Sequence, residues 1–489
     1  MMPSVALIVA LGLVSAGPVR VGSKTFTESV ILGDIAVGLL ENEGIPAIHR
    51  RELGGTQILF HALEAGQLDL YPEYTGTISA EILAGRNLRG DSAIREALAA
   101  RGVGMSRSLG FNNTYAIGMR EQDAARLEIV NLSDLRGHPS IKFGFSNEFM
   151  ERLDGWPGLK RRYDLPQRDV VGLEHVLAYR AVAAGEIRAT ELYSTDAEIL
   201  ALGLRVLRDD LGYFPRYECV WLYRLDLEKR SPEAIKAIGR IEGRIDETAM
   251  SRMNKRAKVD NVSEDRVAAD FLRESFGIEA KVATEGFARR LIRRLGEHLF
   301  LVTLSLTAAI VVAIPLGVWA GLRPRSGGFI LAIAGMVQTI PSLALLVFMI
   351  PWLGIGAKPV LVALFLYSLL PIIRNTATGL REIPVGLRES AEALGLPPRT
   401  RLLKIELPLA SRGILGGIKT AAVINVGTAT IGALIGAGGF GQPILTGIRR
   451  DDIAMILQEG AIPAALLALA VQAAFDLSER FLVPRGLRL

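Results

Sequence analysis

Nine of the ten tyrosines lie between Tyr71 and Tyr223, and Tyr367 stands alone in the second half of the chain. An aromatic ring attracts a cation through the negative face of its π system, at about 0.5–2 kcal/mol per ring, so the segment is compatible with recognition of a positive ligand. Taken one at a time, each of these tyrosines reads first as a half-buried packing residue. By the same reasoning Arg152 alone is a surface cation and Lys24 a solvated charge at a strand end. Acid–base chemistry is poorly provided for: Asp209-Asp210 and Asp451-Asp452 have no nucleophile or histidine beside them and read as solvated loop charges. Cys219 has no second thiol to pair with. Nothing suggests a redox or metal site, and no cofactor is expected. The chain also has no Gly-x4-Gly-Lys-Ser/Thr phosphate loop.

A further constellation is Glu389-Ser390-Ala391, then Gly395 after three residues, then Ile405-Glu406-Leu407-Pro408 after nine more. Glu389, Glu392, Leu396, Arg399 and Leu403 could belong to an ordinary amphipathic helix. Gly395 followed by Pro397 and Pro398 would instead end a helix and begin an exposed turn. Such a break suits a short helix docked into a partner.

These residues are distributed over two unlike halves. The chain has 489 residues, 50% of them hydrophobic, and a formal charge of +5, which indicates more than one domain and argues against a disordered or fibrous class. Residues 20–282 have the composition of a soluble domain, whereas stretches near Phe300–Leu322, Phe329–Trp352, Pro359–Ile373, Ile414–Ile435 and Ile453–Ala474 carry almost no charge. A membrane-spanning helix needs about 20 mostly apolar residues, so five spans are expected at about 297–320, 328–352, 357–374, 412–436 and 454–476. Lys and Arg in short loops mark the cytoplasmic side. Arg323 and Arg325, the segment Arg374–Lys404, and Arg480, Arg485 and Arg488 then fall on one side of a five-span chain, with the Glu389 loop and the C-terminus inside. Arg289, Arg290, Arg293 and Arg294 precede the first span and fall on the wrong side of that rule. A stretch at 281–296, with Leu291, Ile292 and Leu295 between the arginines, reads as an amphipathic linker lying in the headgroup layer.

At the other end, Val5–Val14 followed by Ser15-Ala16-Gly17-Pro18 fits a secretory signal or N-terminal anchor over residues 1–16, too short to span comfortably. It would export a binding domain at 19–280. Within that domain Arg20–Ser23, Ala47–Arg51, Leu68–Tyr71, Ile141–Phe145, Asp169–Gly172 and Thr190–Tyr193 are strand candidates, and helical patterns such as Glu28–Glu41 and Glu174–Ala184 follow them. Repeated βαβ units imply parallel sheets covered by helices, and the length favours two lobes, one about 19–108 and 209–280, the other about 109–208. A ligand would sit at the carboxyl ends of the strands, in a cleft that can close.

Several segments resemble a known family. Gly22-Ser23-Lys24, Leu53-Gly54-Gly55-Thr56, Asp69 through Thr77, Arg152-Leu153-Asp154-Gly155 and Tyr193-Ser194-Thr195-Asp196 resemble the substrate-binding proteins of osmoprotectant ABC importers, which take up glycine betaine, choline, carnitine and related quaternary amines. Gln338-Thr339-Ile340-Pro341-Ser342 and Gly436 through Gly441 resemble their permeases, and the Glu389–Pro408 stretch resembles the loop those permeases present to an ATPase. The resemblance implies a two-lobed α/β domain of the type II periplasmic-binding-protein class followed by an all-α, five-helix, type I importer transmembrane domain at 297–480. It implies an aromatic cage of Tyr74, Tyr115, Tyr193 and Tyr217, with Lys24, Thr77 and Arg152 holding the ligand's carboxylate by charge-assisted bonds. It assigns ATPase coupling to Glu389, Ala391, Gly395, Ile405, Leu407 and Pro408. Gln57, following Gly54-Gly55-Thr56, is a position where neutrality would favour a zwitterion over a purely cationic ligand.

The expected function is therefore import of a small quaternary ammonium compound across the cell membrane, with the binding domain outside. The expected partners are a separate ABC ATPase subunit, a second copy of the chain, membrane lipid and no nucleic acid. An importer of ergothioneine or another trimethylammonium amino acid is the alternative within that class. A receptor would require a cytoplasmic signalling domain, a tethered enzyme would require a catalytic constellation, and a ligand-gated pore without ATP would not accumulate its ligand.

Overall fold

The structure is a computed structural model that describes residues 17–86, 90–151, 155–173, 175–282, 285–450 and 452–484. The expected leader at 1–16 lies outside them. Two five-stranded sheets form the first half. Strands β1 (Val19–Gly22), β2 (Ala47–Arg50), β3 (Leu70–Tyr74), β4 (Val103–Met105), β5 (Tyr115–Arg120), β6 (Phe143–Ser146), β7 (Val170–Leu173), β8 (Ala189–Tyr193), β9 (Leu204–Val206) and β10 (Cys219–Arg224) divide into sheets ordered β2-β1-β3-β10-β4 and β7-β6-β8-β5-β9. The chain leaves the first sheet after β4 and returns to it as β10. It therefore crosses between lobes twice, at 106–114 and at 207–218.

The expected parallel sheets are mixed. β1 pairs in parallel with β2 and β3, and β6 with β7 and β8, but β10 runs antiparallel to β3 and β4, and β5 antiparallel to β8 and β9. The two antiparallel strands are those that follow the crossings, where the chain enters a sheet from the other lobe. The expected strands coincide with β1, β2, β3, β6, β7 and β8 to within about three residues at either end. β4 and β9 have three residues each, too few to show a period of two. β3 runs on through Pro72 to Tyr74, beyond the expected end at Tyr71.

Burial explains the stability of these layers. Helix Thr27–Asn42 is apolar nearly all round and packs between the first sheet and helix Glu264–Phe276, placing Ile31, Ile35, Leu39 and Leu272 in one core with Trp221. Leu59, Phe60, Leu63 and Tyr71 fill the opposite face of that sheet. Phe143, Phe145, Phe149 and Trp156 form the aromatic core of the second lobe.

The second half is a helical bundle. Helices Phe287–Leu322, Ala357–Arg381, Pro398–Ile435 and Ile453–Leu482 are long and apolar enough to cross a membrane. The second expected span is instead a bent pair, Pro324–Thr339 and Ser342–Leu353, meeting at 94°. Ile340 and Pro341 make that corner: both backbones are extended, and proline disfavours helix for the residue before it. By length and composition the described residues of the bundle hold four spans, or five if the bent pair counts as one.

The expected linker at 281–296 also differs, because from Phe287 onward it is continuous with the first span. Three of its four arginines are paired with carboxylates, while Arg289 is exposed. Arg290 meets Glu459 at 2.5 Å, Arg294 pairs with the same carboxylate, and Arg293 bonds Glu285 at 3.2 Å and Glu297 at 3.0 Å. Three carboxylates thus answer the cluster that ran against the charge rule. Deep in the bundle Asn425 donates to Ser368 at 2.9 Å and to Ser305 at 3.3 Å, the kind of polar cross-link that holds helices together where lipid offers no hydrophobic drive.

Candidate functional site

A cleft of about 590 Å³ opens between the lobes, lined in part by Lys24, Phe26, Gly55, Thr56, Tyr74, Thr77, Glu81, Asn113, Tyr115, Tyr193 and Tyr217. Each wall follows from local structure. Lys24 and Phe26 lie on the turn that carries β1 into helix Thr27–Asn42, and Gly55 is the N-cap of helix Thr56–Glu64. The first backbone N–H groups of a helix have no partner within it, which makes such an end a natural receptor for an anion. Tyr74 ends β3 and Thr77 belongs to the helical turn after it. Tyr115 opens β5 and Tyr193 closes β8, and the antiparallel register sets the two opposite one another. Their ring centroids are 4.9 Å apart and their hydroxyls 3.3 Å apart. Tyr217 arrives on the return crossing, where its N–H donates to Asn112 Oδ1 at 2.6 Å.

Lys24, Tyr74, Thr77, Tyr115, Tyr193 and Tyr217 are thus brought to one place. Gln57 is not: its side chain is exposed and donates to the Glu81 carbonyl at 3.2 Å, outside the lining. Arg152 lies outside the described residues.

The charge arrangement is richer than the sequence reading foresaw. Lys24 is buried, its ammonium donates to Thr56 Oγ1 at 3.0 Å and pairs with Glu73, and it sits 5.7 Å from the Tyr74 ring centroid. An ammonium has three donors, so these two bonds leave one for a third acceptor. Burial pushes the Glu73 carboxyl above its ordinary range, and the ammonium beside it works the other way. Glu28, behind the cleft, accepts from the Tyr74 hydroxyl and from Asn113 and Asn254, both at 3.0 Å. Burial raises its carboxyl too, against the pull of those donors. Asn254 also donates to the Thr195 carbonyl at 2.9 Å, so one buried cluster ties both lobes together. Phe26, Glu28, Glu73, Glu81, Asn113 and Asn254 had escaped the sequence reading. No local pattern marks them: Glu28, for example, lies between Thr27 and Ser29 in a helix start that reads as solvated.

The second constellation occupies the other end of the molecule. Helix Ala357–Arg381 starts beside Ile355, whose N–H donates to Gln67 of the first lobe at 2.7 Å, and it ends at the Glu389 segment. Glu389 is exposed on helix Val385–Ala393, and Ala391 is buried against the bundle. Gly395 has a φ of 70°, which a glycine adopts freely, and it closes that helix by donating to the Glu392 carbonyl at 2.9 Å. Ile405 and Leu407 are half-buried and Pro408 is exposed where the next long helix begins. Val385, Leu387, Leu394 and Leu403 present bare apolar surface around this turn. Exposed apolar patches of this kind mark contact sites.

A two-lobed α/β domain with an aromatic cleft, carried on a bundle of membrane-length helices, is the architecture of a binding-protein-dependent importer with receptor and permease in one chain. Residues 17–274 match the substrate binding domain of the ABC-type glycine betaine transport system, and residues 313–487 match the binding-protein-dependent transport system inner membrane component. The chain belongs to these families: it is a fused substrate-binding and permease subunit of an osmoprotectant ABC importer.

Its permease half is 39% identical over 192 residues to the choline transport system permease protein OpuBB of Bacillus subtilis, covering 39% of this chain and 88% of that protein. The chain is also 34% identical over 265 residues to the ergothioneine transport permease/ergothioneine binding protein EgtU of Helicobacter pylori, covering 52% of this chain and 47% of that one. Among solved structures, a glycine betaine/carnitine/choline ABC transporter superposes with a TM-score of 0.50 at 26% identity, covering 52% of this chain and 98% of the other.

Proposed function

We propose that the cleft captures a zwitterionic quaternary amine, glycine betaine or a close relative, outside the cell and delivers it to the bundle of the same chain. The observation that carries this reading is the convergence of Tyr74, Tyr115, Tyr193 and Tyr217 on one cavity that also holds Lys24 and the start of helix Thr56–Glu64. A trimethylammonium group has no N–H to donate, so ring faces and apolar contact are what a protein can offer it. The carboxylate would take the remaining donor of Lys24, the Thr77 hydroxyl, the N–H groups at Thr56 and, from the family resemblance, Arg152.

In this reading the Glu389–Pro408 segment engages a separate ATPase subunit, and two copies of the chain form the pathway within the lipid. The binding domain lies outside the cell and the C-terminus inside. The ATPase contacts are Glu389, Gly395 and the apolar rim of Leu394 and Leu403, with Ala391, Ile405, Leu407 and Pro408 setting the loop's geometry.

A trimethylammonium amino acid with a larger side chain is the second reading. A neighbouring cavity of about 720 Å³, lined by Thr75, Ser79, Pro215 and Arg216 among others, meets the cleft at Ala80 and Tyr217. It offers room for a side chain that glycine betaine lacks. Calorimetry on the full chain in nanodiscs, with glycine betaine, choline, carnitine, proline and ergothioneine, tests both readings. Tyr193→Ala should weaken the tightest ligand at least about tenfold, the upper part of what one ring contributes. Unchanged affinity would remove the cage, and a clear preference for choline would remove the zwitterion.

A further inference from the structure

Two of the first-lobe segments that line the cleft, Lys24–Phe26 and Gly54–Thr56, adjoin residues that meet the permease at one side chain. Helix Gly441–Arg450 lies between the fourth and fifth expected spans, at the end of the bundle away from the Glu389 turn. Its Arg449 donates to Glu52 through Nε at 2.9 Å and Nη2 at 2.5 Å, to Thr27 Oγ1 at 3.1 Å and to Glu264 Oε1 at 2.6 Å. Thr446 adds bonds of 2.8 and 3.0 Å to the Glu52 carboxylate, and Gln442 donates to it as well. The Arg449, Glu52 and Glu264 side chains are 9%, 5% and 4% exposed, so each charge is desolvated and depends on the others. Glu52 holds a φ of 59°, a left-handed conformation uncommon for a residue with a side chain. Residues held this way occur where the surroundings over-determine them, often at functional contacts. Leu53 next to it packs on Gly436, while Gly54 approaches the Leu434 carbonyl and also accepts the N–H of Thr25.

We infer that Arg449 is the latch that seats the binding domain on its permease. It does so by gripping the ends of two cleft-lining segments at once, Thr27 next to Phe26 and Glu52 two residues before Gly54, so the seat and the cleft share the same backbone. This extends the proposed ligand reading, on which it rests only for what the cleft holds. Breaking one partner of a buried charged network leaves the rest uncompensated, a large penalty. Loss of the guanidinium should therefore unseat the domain.

The test is disulfide trapping in the full chain reconstituted in nanodiscs, with Gln67→Cys and Ile355→Cys reporting the seat, since Gln67 Oε1 lies 2.7 Å from the Ile355 nitrogen. Cys219 is buried and silent. Adding Arg449→Ala should slow trapping at least about tenfold, Glu52→Gln should slow it less, and Arg449→Lys should fall between wild type and Arg449→Ala. Trapping at the parent rate in Arg449→Ala overturns the latch. A slow rate in Arg449→Ala with the parent rate in both Glu52→Gln and Arg449→Lys also overturns it, since that pattern reports misfolding rather than a lost bond network. Glycine betaine calorimetry on the same samples separates the two readings. Absent heat with latch-dependent trapping removes the ligand reading and keeps the latch, whereas normal heat with latch-independent trapping does the reverse.

Discussion

Replacing Gly76 by alanine separates ligand recognition from folding at a single position. Gly76 lies in the helical turn Thr75–Thr77, and its φ is not in the left-handed region. The backbone therefore accepts alanine, and helix propensity favours the change by about 0.5–1 kcal/mol. The obstacle is the neighbour: a Cβ built there comes within 2.5 Å of Tyr217 Cδ1 and 2.6 Å of Cζ. Carbon atoms rest about 3.5–4.0 Å apart, so the ring must retreat by roughly 1 Å from the cleft it walls. One ring contributes about 0.5–2 kcal/mol to holding a cation, which converts to a loss of about 2- to 30-fold in affinity at 1.4 kcal/mol per decade. Calorimetry gives the affinity and a thermal melt gives the stability of the same preparation. Weaker binding with an unchanged or slightly raised melting temperature is the expected result. Unchanged affinity would show that Tyr217 does not touch the ligand, and a fall in both quantities would show that the position is structural.

Lys24→Met should cost about 3–5 kcal/mol of binding-domain stability by leaving the buried Glu73 carboxylate without its ammonium. Lys24→Met with Glu73→Gln should recover more than half of that loss while ligand affinity stays low. Chemical denaturation checks this, and a double variant as unstable as the single would show that the pair is not coupled. Acid should weaken the first lobe through Asp69, whose side chain is fully buried and accepts Arg20 at 2.8, 3.0 and 3.0 Å and Arg230 at 2.7 Å. Burial would raise this carboxyl, but the Arg20 bonds outweigh it and hold it below the usual 3.8. A carboxyl lowered on folding stabilises above its unfolded value and loses that contribution as pH falls through its folded value. Melting temperature should drop from pH 5 toward pH 3, and Asp69→Asn should flatten that drop. Parallel curves would exclude Asp69 as a cause.

What the sequence disclosed follows the range of its physical signals. The inner strands β1, β6 and β8 are largely buried and were legible as short β-rich runs, and the edge strands β2 and β7, only partly buried, were read from their place between helical patterns. β5 and β10 were not: each enters its sheet after a crossing from the other lobe, outside the βαβ repeat that guided the reading. The cleft tyrosines came from a family pattern and not from periodicity, and the structure gathers all four. Glu28 and Glu73 carried no signal because a carboxylate in a helix start or a strand reads as solvated until tertiary packing buries it. The break at Ile340-Pro341 had a local cause that hydropathy averages away, since a sliding window sees one apolar stretch across the corner.

Arg449 and Glu52 lie 397 positions apart, beyond the reach of any local pattern, and their pairing bears on how the cleft would work. The latch falls wholly on the first lobe, through Thr27, Glu52 and Glu264, as does the Gln67 contact with Ile355. A lobe seated at those points is fixed to the permease, so in the proposed cycle closing the cleft is a movement of the second lobe. The cage divides along the same line, with Tyr74 on the seated lobe and the Tyr115–Tyr193 pair on the moving one. Between them Glu28 and Asn254 join the lobes through Asn113 and the Thr195 carbonyl. Ligand would therefore be presented by a fixed floor and released by a retreating lid, and the permease would sense that motion through the cleft-lining turns that Arg449 holds.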